Sequence, residues 1–284
     1  MAESLSHKFG QIIGDVLELA IYPHLEKFAR TNKLYLDRKG ERTARKGKKV
    51  TWLDINGNKH DLDFVLERGG NESVIGTPVA FIESAWRRGS RHSKNKVQEI
   101  AGAINPIAEK YKSSTTFKGA ILAGDFTKPS LKQLESDNFA VLYFPTDLIV
   151  KAFAKYGINV LTNDETAESD YAGRLKSWDL LKTKSELAKE LLKINQVEVS
   201  KFFELLKYAV SRFIDRIIII PLYGEEAIIA SVNEAIDYLK EHSEKKSSIA
   251  FVKYEIIIRY NTGDSIDANF QDKKNAIKFL ELYL

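Results

Sequence analysis

An α/β fold, with a central mixed sheet flanked by helices and joined to a smaller C-terminal α+β unit, is what this 284-residue sequence predicts. Three observations lead there. Short apolar runs such as "TPVAFIESAW" and "FKGAILAG" are bounded by turn residues, as expected of buried strands. The stretches between them carry apolar residues at three- and four-residue spacing, as helices do. Over residues 1–160 the two kinds of segment alternate, which is the pattern of a sheet covered by helices.

Taken in order, residues 3–31 form the first predicted helix, with Phe9, Ile12, Ile13, Val16, Leu17 and Ala20 on one face. A basic loop or arm follows at 38–49. Residues 50–66 read as a β-hairpin turned at Asn56-Gly57, a pair that suits a tight reverse turn. Residues 77–86 are a strand apolar up to Glu83. The stretch 93–111 is a helix with Ser93 as its N-cap, followed by strand, short helix, strand, and a helix closed at Gly157. Polar composition without a period marks 161–184 as a linker. Beyond it, 185–284 reads as amphipathic helices, the strand "RIIIIPLYG", a helix running through Ile228, Ile229 and Val232, the strand "FVKYEIIIRY" and a closing helix.

Composition narrows the function classes. A hydrophobic fraction of 44% with 29% charge is that of a soluble globular protein. No apolar run reaches the roughly 20 residues that a bilayer demands, and the N-terminus lacks the pattern of a signal peptide. No cysteine is present, which removes disulfides and thiolate metal sites and fits a cytoplasmic location. The net charge of +4 is mild, but basic residues crowd 38–49 and 87–96. Two such segments in one half suggest a surface facing a polyanion, although a solvated loop fits 38–49 equally well.

The chemistry concentrates in residues 60–100. Asp61 and Asp63, two apart on a predicted strand, point to one face. Glu83 ends the next apolar run. If those strands pair, Asp63 and Glu83 converge, and two such carboxylates need a cation or a shared proton. Oxygen ligation by one or two carboxylates, completed by water and phosphate, is how Mg²⁺ is usually held. Arg87, Arg88, Arg91, His92 and Lys94 follow at once and suit phosphate contacts. Trp86 is expected in the core, with stacking on a base left open. No P-loop, GxGxxG or GxSxG sequence is present, so no nucleotide cofactor is expected. No zinc-binding histidine spacing is present either.

With those residues in place, 3–157 resembles the PD-(D/E)XK nuclease superfamily, most closely its type II restriction-endonuclease branch. The resemblance implies a restriction-endonuclease-like fold with Asp63 and Glu83 as catalytic metal ligands. The lysine that the motif puts two residues after Glu83 is missing, since Ala85 stands there. Relatives can supply it from the next helix, where Lys94 and Lys96 lie. Lys96 is favoured because it shares a helix face with Glu99. Glu99 is then either an ion-pair partner or a displaced acid, Glu18 a minor candidate acid on the leading helix, and Asp61 either a ligand or a solvated strand residue. The implied activity is Mg²⁺-dependent hydrolysis of double-stranded DNA at a specific sequence by a homodimer within a restriction-modification system. Two rivals follow: a repair or recombination nuclease on branched or single-stranded DNA, and a DNA-binding protein whose site has decayed.

Overall fold

The computed structural model describes residues 4–89, 93–112, 117–162, 166–211, 213–221, 225–243, 251–261 and 264–284. The chain divides into two compact units, 1–210 and 211–284.

The first unit is built on a five-stranded mixed sheet. Helix α1 (Leu5–Thr31) leads, capped by Ser4, whose hydroxyl accepts from the His7 N–H at 3.2 Å. Strands β1 (Leu34–Arg38), β4 (Phe64–Arg68) and β5 (Thr77–Arg87) follow, with β4 antiparallel to both β1 and β5. Helix α2 (Ser93–Lys110) then returns the chain to β6 (Phe117–Gly124), parallel to β5. Helix α3 (Lys128–Ser136) leads to β7 (Phe139–Pro145), parallel to β6. The order across the sheet is β1-β4-β5-β6-β7.

Strand β5 is central and covered on both faces, which explains its unbroken apolar run. Val79, Ala80 and Ile82 join the core formed with α1, while Phe81 and Ala85 join the core formed with Val97, Ile100 and Ile104 of α2. The α1 face also receives α4 (Thr146–Ala154), α6 (Lys184–Ile194) and α7 (Gln196–Val210).

Three expectations change here. Strand β1 was not anticipated. The hairpin exists as β2 (Val50–Leu53) and β3 (Lys59–Leu62) but forms its own two-stranded sheet, and Phe64–Leu66 instead enter the central sheet. The expected linker 161–184 carries helix α5 (Glu168–Leu180), whose Tyr171 is buried in the α1-face core, so the first unit extends to Val210 rather than residue 160. A helix with one buried anchor leaves little periodicity to read.

The basic arm 38–49 also differs from expectation. Arg42 and Arg45 are turned inward, the former onto Glu67 and Asp37 and the latter onto Asp37 and the Arg38 and Gly47 carbonyls. Those two guanidiniums hold the protein's own carboxylates and do not face a polyanion.

Gly124 ends β6 with φ +99°, a conformation that costs any L side chain. A Cβ there would collide with the Arg87 carbonyl oxygen and the Trp86 ring. Gly124→Ala is therefore expected to destabilise the protein by about 2–4 kcal/mol in urea unfolding. An unchanged midpoint would show that this close approach is not required.

The second unit is a four-stranded antiparallel sheet in the order β11-β10-β8-β9. It comprises β8 (Ile214–Pro221), β9 (Ala227–Ile229), α8 (Val232–Glu241), β10 (Tyr254–Tyr260), β11 (Ser265–Phe270) and α9 (Lys273–Glu281). Ile217, Ile219, Ile256 and Ile258 pack with Ala235, Leu239, Ala276 and Leu280. Ile228 and Ile229, expected in a helix, lie on β9, and α8 begins only after its cap Ser231. The unanticipated β11 is an amphipathic edge strand paired with β10 alone, with Ile266 and Phe270 against the core.

Candidate active site

The site forms where β5 outruns β4. Pairing between them begins at Phe64 opposite Ile82, so residues 83–87 of β5 continue past the start of β4. Asp63 occupies the bend between β3 and β4. Its position follows from the change of sheet: the chain must leave the hairpin and enter the central sheet within one residue.

That bend locks the two predicted acids together. The Asp63 N–H donates to Glu83 Oε1 at 3.2 Å. Asp63 Oδ2 in turn accepts from the Ser84 N–H at 2.7 Å and from Ser84 Oγ at 2.9 Å. Each carboxylate thus has one oxygen fixed by backbone or hydroxyl donors, while Asp63 Oδ1 and Glu83 Oε2 receive no hydrogen bond among the described residues. Burial, then the charge of Asp63, push the Glu83 carboxyl up to about 8, against partial relief from Lys96. An acid so perturbed by burial and a like charge is the usual mark of a site awaiting a cation or a proton.

Glu18 on α1 lies within electrostatic reach of Asp63. Crowding at its carboxyl, then the charges of Asp63 and Asp15, raise its pKa, opposed by Lys39 and Arg38. Lys96 enters from α2 with its side chain only 15% exposed, and it donates to Glu99 Oε1 at 2.7 Å. Its proximity to Glu83 is felt electrostatically. Glu99 is exposed and behaves as an ion-pair partner, with Arg87 a further 4.0 Å from its other oxygen.

Other expected residues are placed elsewhere. Asp61 does not share a strand with Asp63: it lies on β3, held by Lys49 Nζ at 2.6 Å and Thr51 Oγ1 at 2.6 Å, on the surface of the hairpin. Lys94 is exposed on the first turn of α2. Ser93 lies within α2, its hydroxyl buried against Ser130 at 3.1 Å. Arg88 donates to the Tyr171 hydroxyl at 2.7 Å. Arg91 and His92 lie outside the described residues.

Two features were missed in the sequence. Ser84, which holds Asp63 with two donors, has no signal beyond standing next to Glu83. Glu67, fully buried, closes a forked pair with Arg42; the signal was an acid at the end of the apolar run "FVLE". Among the described residues no three His, Asp or Glu side chains converge as a metal cage, and no helix is long and apolar enough to cross a membrane.

No family model matches the chain, and no curated protein matches it. A solved protein of unknown function, AF1548, aligns at 12% identity and a TM-score of 0.28, covering 66% of this chain and 98% of its own. That likeness is too slight to bear on fold or function.

Proposed function

We propose that this protein is a Mg²⁺-dependent DNA endonuclease of the PD-(D/E)XK superfamily, of the type II restriction kind, acting as a homodimer on double-stranded DNA. One observation carries the reading. A half-buried Glu83 carboxyl, its pKa pushed up, is held against the Asp63 backbone at the open end of β5, within electrostatic reach of Lys96. The order of helix, antiparallel strands, helix and parallel strand around that point agrees with a restriction-endonuclease-like fold.

The donor set fits the ion. Two carboxylates, each with one oxygen left for a ligand, match a cation that takes its remaining ligands from water and phosphate. Asp63 and Glu83 would hold the ion, which would supply polarisation of the scissile phosphate and a water of lowered pKa. The protein's own part is positional. Ser84 fixes Asp63, and the Asp63 backbone fixes Glu83, so both acids meet the ion without rearranging. Lys96 donates to a phosphate oxygen once it leaves Glu99, replacing the lysine that Ala85 does not provide.

The first test is cleavage of a large, sequence-diverse DNA with Mg²⁺ by wild type and Glu83→Ala. Discrete fragments that vanish in the variant are expected, and intact DNA in both lanes sinks the proposal. Lys96→Ala is expected to slow cleavage about 100- to 1,000-fold, whereas Glu99→Ala leaves it unchanged or faster. Equal loss from both would mean that the ion pair, not the free ammonium, matters. A second reading, a DNA-binding protein that no longer cuts, is favoured by Ala85 together with the Lys96–Glu99 pair. It predicts a gel shift that is retained without any cleavage.

A further inference from the structure

A cavity of about 540 Å³ opens on the α1 side of β5, within the range of roughly 300–1,000 Å³ usual for ligand sites. The half-buried Trp86 ring is its aromatic wall, backed by the buried Phe9 and Tyr171, and Arg87 and Arg88 stand at the end of β5. Arg88 is oriented by its 2.7 Å bond to the Tyr171 hydroxyl. The floor is the glycine-bearing face of α1. An added Cβ at Gly14 would meet nothing within 4 Å, and one at Gly10 would meet only the Trp86 ring.

The two elements that line the cavity, α1 and β5, also carry residues of the acid cluster. On α1, Gly14 lies one turn before Glu18, whose carboxyl feels Asp63. On β5, Trp86 follows two residues after Ser84, which holds Asp63. A strand whose phosphate lies at Asp63 and Glu83 thus meets this cavity next. A flat aromatic ring beside arginine suits a nucleobase and its phosphate, since every base offers a π-face. A paired base inside a duplex cannot enter such a recess without leaving its stack.

We propose that this cavity takes one unpaired nucleotide of the bound strand, its base against Trp86 and its phosphate at Arg88. The proposal rests on the nuclease reading and deepens it: the preferred substrate carries an unpaired nucleotide next to the point of cleavage. In a duplex substrate that nucleotide is a base turned out of the stack, and a single-stranded overhang presents one at no unstacking cost.

The test is binding rather than turnover, with internally labelled DNA and Ca²⁺ in place of Mg²⁺. The probes are a blunt duplex and the same duplex with a short single-stranded overhang of either polarity. Wild type is expected to bind at least one overhang probe about tenfold more tightly than the blunt one. Gly14→Leu, which fills open space, should remove the difference, and Arg88→Gln should reduce it. Gly14→Ala, adding one methyl, should keep most of it. Equal affinity for blunt and overhang probes in wild type overturns the cavity assignment while leaving the nuclease reading intact. Persistence of the difference in a folded Gly14→Leu protein also overturns it. Failure of wild type to bind any of these DNAs overturns both.

Discussion

Replacing Arg42 by alanine is expected to remove about 3–5 kcal/mol of stability, the largest loss from any single charged residue here. Its guanidinium is 1% exposed and faces Glu67 at 0%. It makes parallel bonds of 2.7 and 2.9 Å to the two Glu67 oxygens and a contact of 2.9 Å to Asp37. It also donates to the carbonyls of Asn71, at 2.9 and 3.1 Å, and Val74, at 2.8 Å, and lies over the Tyr35 ring. Burial alone would lower its pKa; the bonds and charge of Glu67, then Asp37, raise it instead. Alanine would leave the buried Glu67 carboxylate with the Gly76 N–H but no cation, and the Asn71 carbonyl without its guanidinium donors, and the desolvation of those groups dominates the loss. Arg42→Lys should recover part of the charge but not the planar fork. Urea unfolding of the three proteins measures this directly. A loss below about 1 kcal/mol for alanine would mean that the network behaves as a surface pair.

Glu83→Gln is expected to do two opposite things: stabilise the metal-free protein at pH 8 and abolish Mg²⁺-dependent cleavage. The folded carboxyl titrates near 8, above its ordinary value of 4.5, because burial and Asp63 disfavour the charge. Between those two values the folded state keeps a proton that the unfolded chain has released. Stability is therefore full below about pH 4.5 and falls as pH rises to 8. The glutamine variant escapes that fall, a gain on the order of a few kcal/mol at pH 8. Unfolding midpoints in EDTA from pH 5 to 9 should diverge between wild type and variant as pH increases, and adding Mg²⁺ should narrow the gap only by raising wild type. Parallel curves would mean that Glu83 is not the strained acid of this site. A variant made more stable by losing a group needed for activity is the usual relation between a functional site and its fold.

The sequence alone determined the alternation of strands and helices, the central place of β5 and the candidacy of Asp63 and Glu83. Each of these depends on local period or on an acid at the start or end of an apolar run, and both signals are carried by neighbours in the chain. The buried face of α1 from Phe9 to Ala20 is the clearest case. Tertiary structure alone decided the rest. Strand β1 and the inward turn of Arg42 depend on Glu67, which is 25 residues away, and charge clustering cannot distinguish a guanidinium bound to its own carboxylate from one facing solvent. The separation of Asp61 from Asp63 depends on a change of sheet within one residue, which a period-2 pattern does not register. The fixing of Asp63 by Ser84, and the cavity between α1 and β5, arise from elements far apart in sequence. Contacts of that kind carry no periodicity, so only the folded chain reveals them.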